Sequence, residues 1–426
     1  MFREILNTFW TKIASAIIAF CILILTTQYL GAEGRGVVSL ISSSIGIIGI
    51  FAGFVGGPAV IYFAARNKSQ NLFVPIYGWA VIVTIMGSGI LLLFHITPAT
   101  YIFPIAILSF ISSVYIANFY MLVGHQKVRI NNFIYFFQWV VNLIALVIFF
   151  VVLNQSTVEF VVIAMFIAGV CGLGLTLLEL KKVTAPMPVD WSHQINVMKS
   201  LVSFSFFAQA AAVMCYLNYR LGIFVLPNFS GLSATGIYSV GVNLAELILL
   251  ASQSIALVAY SRISNTNDRE YAKDITIKLA KVGFLSTLGL TMFLLFLPSV
   301  VYSIVFGSDF SSVPSVLFAM SPGIIAFGTS IIIFNYFAGI GKNQVNAIAA
   351  FVGLGANILF CYLLIPVFGS VGAGITASIS FILMSGILIW AFSKETNTSF
   401  KEFIIRKTDI EYIYTKFRGM ILPAKE

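Results

Sequence analysis

Charged residues are scarce in this sequence: only 9% of its 426 residues are Asp, Glu, Lys or Arg. A soluble domain carries about 25% of such residues, so the composition excludes a water-exposed globular fold. Hydrophobic residues make up 59% of the chain, and its mean hydropathy is +1.00. This composition is typical of a protein that crosses a lipid bilayer many times.

Residues for metal or covalent chemistry are also few. The four cysteines lie in apolar runs without metal-ligand spacing, and the three histidines are widely separated. The chain has no P-loop, no G-x-S-x-G and no H-E-x-x-H motif, which argues against an ATP-driven pump or a hydrolase. We therefore expect a protein that is not an enzyme and that binds no cofactor or metal.

Long apolar runs fill most of the chain, separated by short polar connections. A bilayer is crossed by about 20 apolar residues in a helix, and runs of this length predict an all-α polytopic membrane protein with about twelve transmembrane helices. These lie near 9–30, 37–64, 72–95, 100–123, 133–153, 158–180, 200–226, 236–260, 278–306, 314–338, 345–365 and 371–393.

The basic residues are strongly segregated along these helices. Of the 24 Lys and Arg residues, all but Arg35 and Arg220 fall in the termini or in alternate loops. The positive-inside rule then places both termini in the cytoplasm and makes the helix count even. The net charge of +9 therefore indicates topology and contact with anionic membrane lipids, not nucleic-acid binding. The loops on the opposite side are too short to form a catalytic domain.

Two glycine-containing segments recur in the two halves of the chain. "GAEGRGVVS" and "GLSATGIYS" place Gly31 and Gly36 in correspondence with Gly231 and Gly236. A second pair, "NFYMLVGHQKV" and "NYFAGIGKNQV", aligns two further sets: Asn118, Gly124 and Val128 with Asn335, Gly341 and Val345. Because both halves begin on the cytoplasmic side, we predict a parallel pseudo-two-fold repeat of two six-helix bundles. The bundles span 1–180 and 200–393, with a cytoplasmic linker at 181–199 and a basic cytoplasmic tail at 394–426.

Several segments resemble one family of exporters. "AGIGKNQVNAIAAFVGLGANILFCYLLIPVFGSVGAGITASISFI", "LNYRLGIFVL", "GIYSVGVNLAEL" and "YLGAEGRG" are similar to the multidrug/oligosaccharidyl-lipid/polysaccharide exporter superfamily, in particular its polysaccharide-transporter branch. That branch moves polyprenyl-diphosphate-linked oligosaccharides, such as O-antigen units, across the membrane. The resemblance implies two six-helix bundles around a central cavity that opens alternately to each side.

One departure from the branch concerns ion coupling. Its helix 7 pattern often carries an Asp two residues after the Arg, where this chain has Gly222. A cation-coupling role of that Asp is therefore not transferred to this protein.

Two ionisable residues, Arg220 and Glu246, lie inside apolar runs. A charge in the bilayer costs about 2.5–3.5 kcal/mol even on the lenient insertion scale, so neither residue is expected to face lipid. Polar residues at helical spacing accompany each of them and extend a polar stripe. Arg220 could bind a diphosphate or acidic sugar. Glu246 could be its counter-charge or a protonatable coupling group, and the alternative is a structural ion pair between helices 7 and 8.

Further candidates are polar residues that could reach the same cavity. The predicted substrate-binding set is Arg220, Gln209, Tyr216, Asn243, Asn118 and Asn335. Amide side chains also join membrane helices, which is the alternative for Asn118 and Asn335. Lys12, Arg66 and Lys127 could attract the headgroup at the cytoplasmic mouth, or could simply anchor the topology. Arg35 and Glu33, in the first outer loop, receive no assigned role.

The resulting expectation is a flippase of the bacterial inner membrane that serves surface polysaccharide synthesis. Its substrate would be a polyprenyl-diphosphate-linked oligosaccharide, and its partners could include a polysaccharide polymerase and chain-length machinery. Proton or sodium antiport is the expected coupling, although removal of the glycan outside could also drive transport. The alternatives are a cation-coupled multidrug exporter of the same superfamily and, from another class, a membrane polymerase or ligase.

Overall fold

A computed structural model describes residues 2–66, 72–184 and 191–403 of the chain. Within these ranges the backbone forms helices and no strand. Part of the predicted linker (185–190) and most of the predicted basic tail (404–426) lie outside the described residues. The helices are α1 (Phe2–Gly56), α2 (Ala59–Ala64), α3 (Phe73–Leu93), α4 (Ile102–Gly124), α5 (Val128–Val147), α6 (Val158–Lys181), α7 (Trp191–Ser264), α8 (Arg269–Leu295), α9 (Ser299–Phe306), α10 (Val313–Gly339) and α11 (Asn343–Thr396).

In the described part of the chain, nine helices are long and apolar enough to cross a membrane. Three of them, α1, α7 and α11, contain 55, 74 and 54 residues, more than twice the roughly 20 that a bilayer requires. Each is broken at one glycine with positive φ: +65° at Gly31, +80° at Gly231 and +54° at Gly369. Glycine adopts such angles without steric cost. The predicted outer loops at these places are thus reduced to single-residue breaks, and the count of twelve spans stays a prediction.

Proline explains two differences from the predicted helices. The helix predicted at 278–306 is divided into α8 and α9, and Pro298 directly precedes α9. The helix predicted at 37–64 is interrupted at Gly57 and Pro58, between α1 and α2. Proline has no N–H to donate and disfavours helical geometry in the residue before it, so an apolar run that contains it need not be one helix.

The turns of the first half of the chain have counterparts in the second half. Positive φ angles occur in four corresponding pairs: Gly31 and Gly231, His95 and Gly307, Gln126 and Gly341, and Asn154 and Gly369. This correspondence is consistent with a repeat of two bundles, which remains a prediction.

The second repeat pair has a different register from the one that the sequence alignment suggests. Gln126 (φ +61°), and not Gly124, corresponds to Gly341 (φ +78°). The hydrogen bonds agree, because Asn131 Nδ2 donates to Phe119 O at 3.1 Å and Asn346 Nδ2 donates to Phe334 O at 2.9 Å. The alignment of Gly124 with Gly341 is therefore wrong by two residues. Identical letters guided it, whereas the backbone repeats a left-handed position that Gln126 occupies in one copy.

Three kinds of apolar cluster hold the helices together. Buried residues such as Met121 form cores within the first half, and residues such as Phe381 form the core of the second half. A further cluster brings Leu23 of α1 against Val240 of α7 and Phe306 of α9. This last cluster joins the two halves near the end of the molecule that carries Gly31 and Gly231. We call this end the outer end, after the orientation that the basic residues predict.

At the outer end, the helical segments that begin after the two glycine breaks pack against each other. A Cβ atom on Gly36 would collide with the carbonyl oxygen of Leu232, and a Cβ atom on Gly236 would collide with that of Ala32. The contacts are reciprocal, so corresponding backbones of the two halves touch. Because no side chain separates them, this contact, which we call the outer seal, brings the two halves together at their tips.

The end of α9 and the residues that follow it reinforce the outer seal. Gln28 Nε2 donates to the carbonyl oxygens of Ile304 and Val305, at 2.8 and 2.9 Å. The Ala32 N–H, the first after the break at Gly31, donates to Asp309 Oδ2 at 3.1 Å. A carboxylate at the start of a helix satisfies an N–H that has no partner in its own helix. Asp309 therefore caps a helix of the other half.

The left-handed turn at Gly341 allows a test of backbone strain. An added Cβ there would meet no atom within 4 Å, so Gly341→Ala is expected to destabilise the protein by about 1 kcal/mol through φ alone. The matched control is Gly355→Ala, which also meets no atom but lies inside α11 and is expected to stabilise it. Apparent melting temperatures of the purified variants check this. An equal rise for both variants would contradict the assigned turn.

The outer seal predicts a specific effect of a single methyl group. Gly36→Ala is expected to separate the tips by on the order of 1–2 Å, because its Cβ needs normal contact distance from the Leu232 carbonyl. Spin labels on cysteines at the exposed positions Glu33 and Ser233, with the four native cysteines replaced by alanine, report the distance between the tips. Gly49→Ala is the control, since its Cβ meets nothing within 4 Å. Identical distance distributions for the two variants would refute the seal.

Candidate functional site

The two halves meet along α1 and α7. We call residues 32–56 the second segment of α1 and residues 191–230 the first segment of α7. Three side chains of the latter donate to backbone carbonyl oxygens of the former: Ser205 Oγ to Phe54 at 2.7 Å, Gln209 Nε2 to Ile50 at 2.9 Å, and Tyr216 OH to Ser43 at 3.0 Å. As the residue number rises on α7 it falls on α1, so the two segments run antiparallel in a fixed register.

Glycines on α1 make room for these side chains. A Cβ atom on Gly46 would overlap the Tyr216 hydroxyl, and one on Gly53 would overlap the Gln209 amide. Small residues let membrane helices approach closely enough for hydrogen bonds between them. Gln209 and Tyr216 thus each donate a hydrogen bond that joins the two halves. Their role in substrate binding stays a prediction.

Arg220 and Glu246 form an ion pair across the Gly231 break of α7. Arg220 Nη2 donates to both carboxylate oxygens of Glu246, at 2.6 and 2.9 Å. Their side chains keep 19% and 36% of their accessible surface, so neither is sealed in the core. Glu246 is therefore placed as the counter-charge of Arg220. The Nε of Arg220, in contrast, is buried without a hydrogen-bond acceptor among the described residues.

The surroundings of Gly222 explain the missing carboxylate on α7. A Cβ atom on Gly222 would lie 2.7 Å from Cε1 of Tyr238, whose side chain is 1% exposed. An Asp at this position would require the ring to move. In this protein an aromatic ring fills the space, so position 222 offers no cation ligand.

Each of the three predicted asparagines donates a hydrogen bond within its own half of the chain. Asn118 is buried within the first half, where it accepts from Tyr77 OH at 2.7 Å and donates to Thr176 Oγ1 at 3.4 Å. Asn243 and Asn335 each donate to a carbonyl oxygen four residues earlier in their own helix, at 2.6 and 2.9 Å. These contacts do not bring the three asparagines to Arg220.

The residues predicted at the cytoplasmic mouth are all exposed. Lys12 lies on α1, Lys127 directly precedes α5, and Arg66 follows α2. The Arg66 guanidinium stacks on the Tyr62 ring, 3.6 Å from its centroid. Exposure is compatible both with headgroup attraction and with topology anchoring.

Asn218, which no sequence pattern marked, is central to the second half. Its Nδ2 donates to Ala350 O at 3.1 Å, and its Oδ1 accepts from Ser380 Oγ at 2.7 Å. Asn357 Nδ2 donates to Asn218 O at 2.9 Å. Asn218 lies two residues from Arg220 on a different face of the helix, so the stripe that marked Arg220 did not include it. The network is neutral, and in the described part of the chain no group of His, Cys, Asp and Glu could hold a metal ion.

Comparison of the sequence with known proteins gives limited information. No family model matches it. An uncharacterized membrane protein of Methanocaldococcus jannaschii is 26% identical over 204 residues, which are 47% of this chain and 40% of that protein. The match therefore spans less than half of that relative.

Solved structures give a much broader match. The lipid II flippase MurJ in an inward closed conformation has a TM-score of 0.73, with 13% identity, over 100% of this chain and 94% of that chain. A multidrug resistance MATE family transporter of the MOP superfamily, inward-facing, has a TM-score of 0.69, with 14% identity, over 90% and 96% of the two chains. At these identities the likeness establishes the fold alone. The chain is a multi-pass membrane protein with the fold of MOP-superfamily transporters, the superfamily that its motifs resemble.

Proposed function

We propose that this protein is a flippase that moves a polyprenyl-diphosphate-linked oligosaccharide across a bacterial cytoplasmic membrane by alternating access. The product would serve O-antigen, capsule or exopolysaccharide synthesis. Membrane lipids would surround the polyprenyl chain, and a polysaccharide polymerase with its chain-length machinery could receive the product.

The position of Arg220 between the helices is the observation on which the proposal depends. It is a permanent positive charge between membrane helices, partly accessible, and Glu246 engages only its Nη2 among the hydrogen bonds of the pair. A guanidinium has five N–H donors arranged to match phosphate oxygens. The remaining donors of Arg220 can therefore bind the diphosphate that links the lipid to the sugars.

The outer seal supports alternating access. With the tips in contact, a ligand would reach Arg220 from the cytoplasmic side. Transport then requires the seal and the hydrogen bonds between α1 and α7 to open.

Glu246 is the group proposed to couple transport to a proton or sodium gradient. Its carboxylate shares Arg220 with the substrate, so a phosphate that binds Arg220 competes with Glu246 for the guanidinium and frees the carboxylate to bind the coupling cation. Exchange of a proton for the substrate would follow from this competition. Removal of the glycan outside is the other proposed driving force.

A cation-coupled multidrug exporter is the second candidate. The partial exposure of Glu246 favours it, because a carboxylate in a cavity attracts cationic drugs. Two structures with this fold are those of a multidrug resistance MATE family transporter. The two candidate functions differ in the charge of the expected substrate, which is negative for the flippase and positive for the exporter.

Deletion of the gene in its source organism distinguishes the two candidates. We expect lipid-linked oligosaccharide units to accumulate, as measured by mass spectrometry, and surface polysaccharide to be lost. Unchanged glycans together with new sensitivity to cationic compounds would favour the exporter instead.

Complementation of the deletion strain tests the role of Arg220. Arg220→Ala is expected to reduce surface polymer at least about tenfold, because charge-assisted bonds to phosphate are lost. Arg220→Lys should restore part of the activity, since it keeps the charge without the planar donor set. Arg262→Gln, at an exposed arginine in the last turn of α7, is the control. Normal export by a normally inserted Arg220→Ala protein would eliminate the binding role.

The structural part of the ion pair can be measured separately. Glu246→Gln leaves Arg220 without its carboxylate and is expected to cost about 1 kcal/mol of stability, reduced from the value of a fully buried pair by the partial exposure. The double variant with Arg220→Gln should recover part of this loss. Apparent melting temperatures report the result, and additive losses in the double variant would show that the pair does not couple the two segments of α7.

A further inference from the structure

Arg35 and Arg220 are the two basic residues that do not follow the charge segregation, and the structure places them about one helical turn apart along the contact between α1 and α7. Their separation along the helices follows from the register between α1 and α7. Tyr216 lies against Ser43, so Arg220, one turn further along, lies at the level of Ser39. Ser39 donates to the Arg35 carbonyl at 2.8 Å, and Arg35 is one turn, or about 6 Å, nearer the outer seal.

Two extended arginine side chains can span such a distance, and their charges interact. Both guanidinium groups are positively charged, and like charges interact over a distance of this order. Like charges between membrane helices repel each other and are poorly solvated. Their proximity therefore requires compensation.

The protein supplies only part of this compensation. Arg220 has the Glu246 carboxylate, whereas Arg35 Nη1 donates to a neutral hydroxyl, Thr26 Oγ1, at 3.1 Å. The Nε of Arg35 and the Nε of Arg220 are both buried, and neither has an acceptor among the described residues. The cluster thus keeps one positive charge in excess and two donors without acceptors.

Other carboxylates near the tips are committed elsewhere. Asp309 accepts the Ala32 N–H, and Glu33 is exposed at the tip. An anion with several oxygens, bound between the two guanidinium groups, would satisfy both donors and offset the excess charge.

We propose that Arg35 and Arg220 together form a binding site for a phosphate or diphosphate group, directly inside the outer seal. As a headgroup site, it rests on the proposed function, and it adds Arg35 as the second ligand. Because Arg35 immediately precedes Gly36, an anion held there lies next to the contact that must open for release.

Binding of inorganic pyrophosphate to the purified full-length protein, measured by calorimetry, tests the site. Arg35→Gln and Arg220→Gln are each expected to weaken binding at least about tenfold, Arg35→Lys less so, and the control Arg262→Gln, at an exposed arginine in the last turn of α7, not at all. Unchanged affinity in a folded Arg35→Gln variant overturns the proposal.

A second measurement uses the unmodified chain and so does not depend on how the variants fold. Phenylglyoxal reacts with arginine side chains, and mass spectrometry locates the modified residues. Pyrophosphate is expected to slow modification of Arg35 and Arg220 at least about tenfold when near saturation, without protecting Arg262. Equal rates with and without pyrophosphate at Arg35 would refute the site.

Polyprenyl diphosphate in nanodiscs, compared with pyrophosphate, distinguishes the source of the phosphate group. If both ligands lose affinity in Arg35→Gln, the site binds the lipid headgroup. If pyrophosphate binds through Arg35 but the lipid does not bind, the site stands as one for free phosphate and the proposed function fails. If the Arg35→Gln protein exports normally and binds both ligands like the parent, this inference fails and the proposed function stands.

Discussion

Three side chains of α7 donate hydrogen bonds to backbone carbonyl oxygens of α1, and glycines on α1 let them approach. In a membrane, apolar contact between helices gives little net gain because lipid is equally apolar. Such hydrogen bonds contribute about 0.6 kcal/mol each on average, so the three together amount to roughly 2 kcal/mol. That is enough to favour one arrangement of the two halves and small enough for a ligand to reverse. The position of Arg220, and with it the candidate site, depends on this contact.

Composition and charge pattern were sufficient to predict an all-helical membrane protein, and the glycine spacing located the corresponding breaks at Gly31 and Gly231. These features follow from the solvent and from backbone geometry, which leave direct marks on residue type. The partners of Gln209 and Tyr216 could not be predicted, because backbone carbonyls have no signature in the sequence. The second repeat pair was misaligned because Gln126 occupies a left-handed position that glycine occupies in the other copy.

The polar residues that join helices in the second half, around Asn218, form a neutral hydrogen-bond network. Asn218, Asn357 and Ser380 satisfy one another without a carboxylate, and Tyr238 fills the space beside Gly222. Arg220 and Glu246, in contrast, form an ion pair. In the proposed mechanism, an ion exchanged there would compete with the anionic ligand for the same few atoms, so binding and coupling would not be independent.

The cap that Asp309 provides to Ala32 connects residues that are synthesised far apart in time. Membrane helices of the first half leave the ribosome long before residue 309, and domains generally form in the order of synthesis. Until then, the helix that starts after Gly31 lacks a cap that contributes about 1 kcal/mol. The tip of the first half therefore reaches its final form only when the second half has been inserted. The outer seal forms late, after nearly three quarters of the chain has been synthesised.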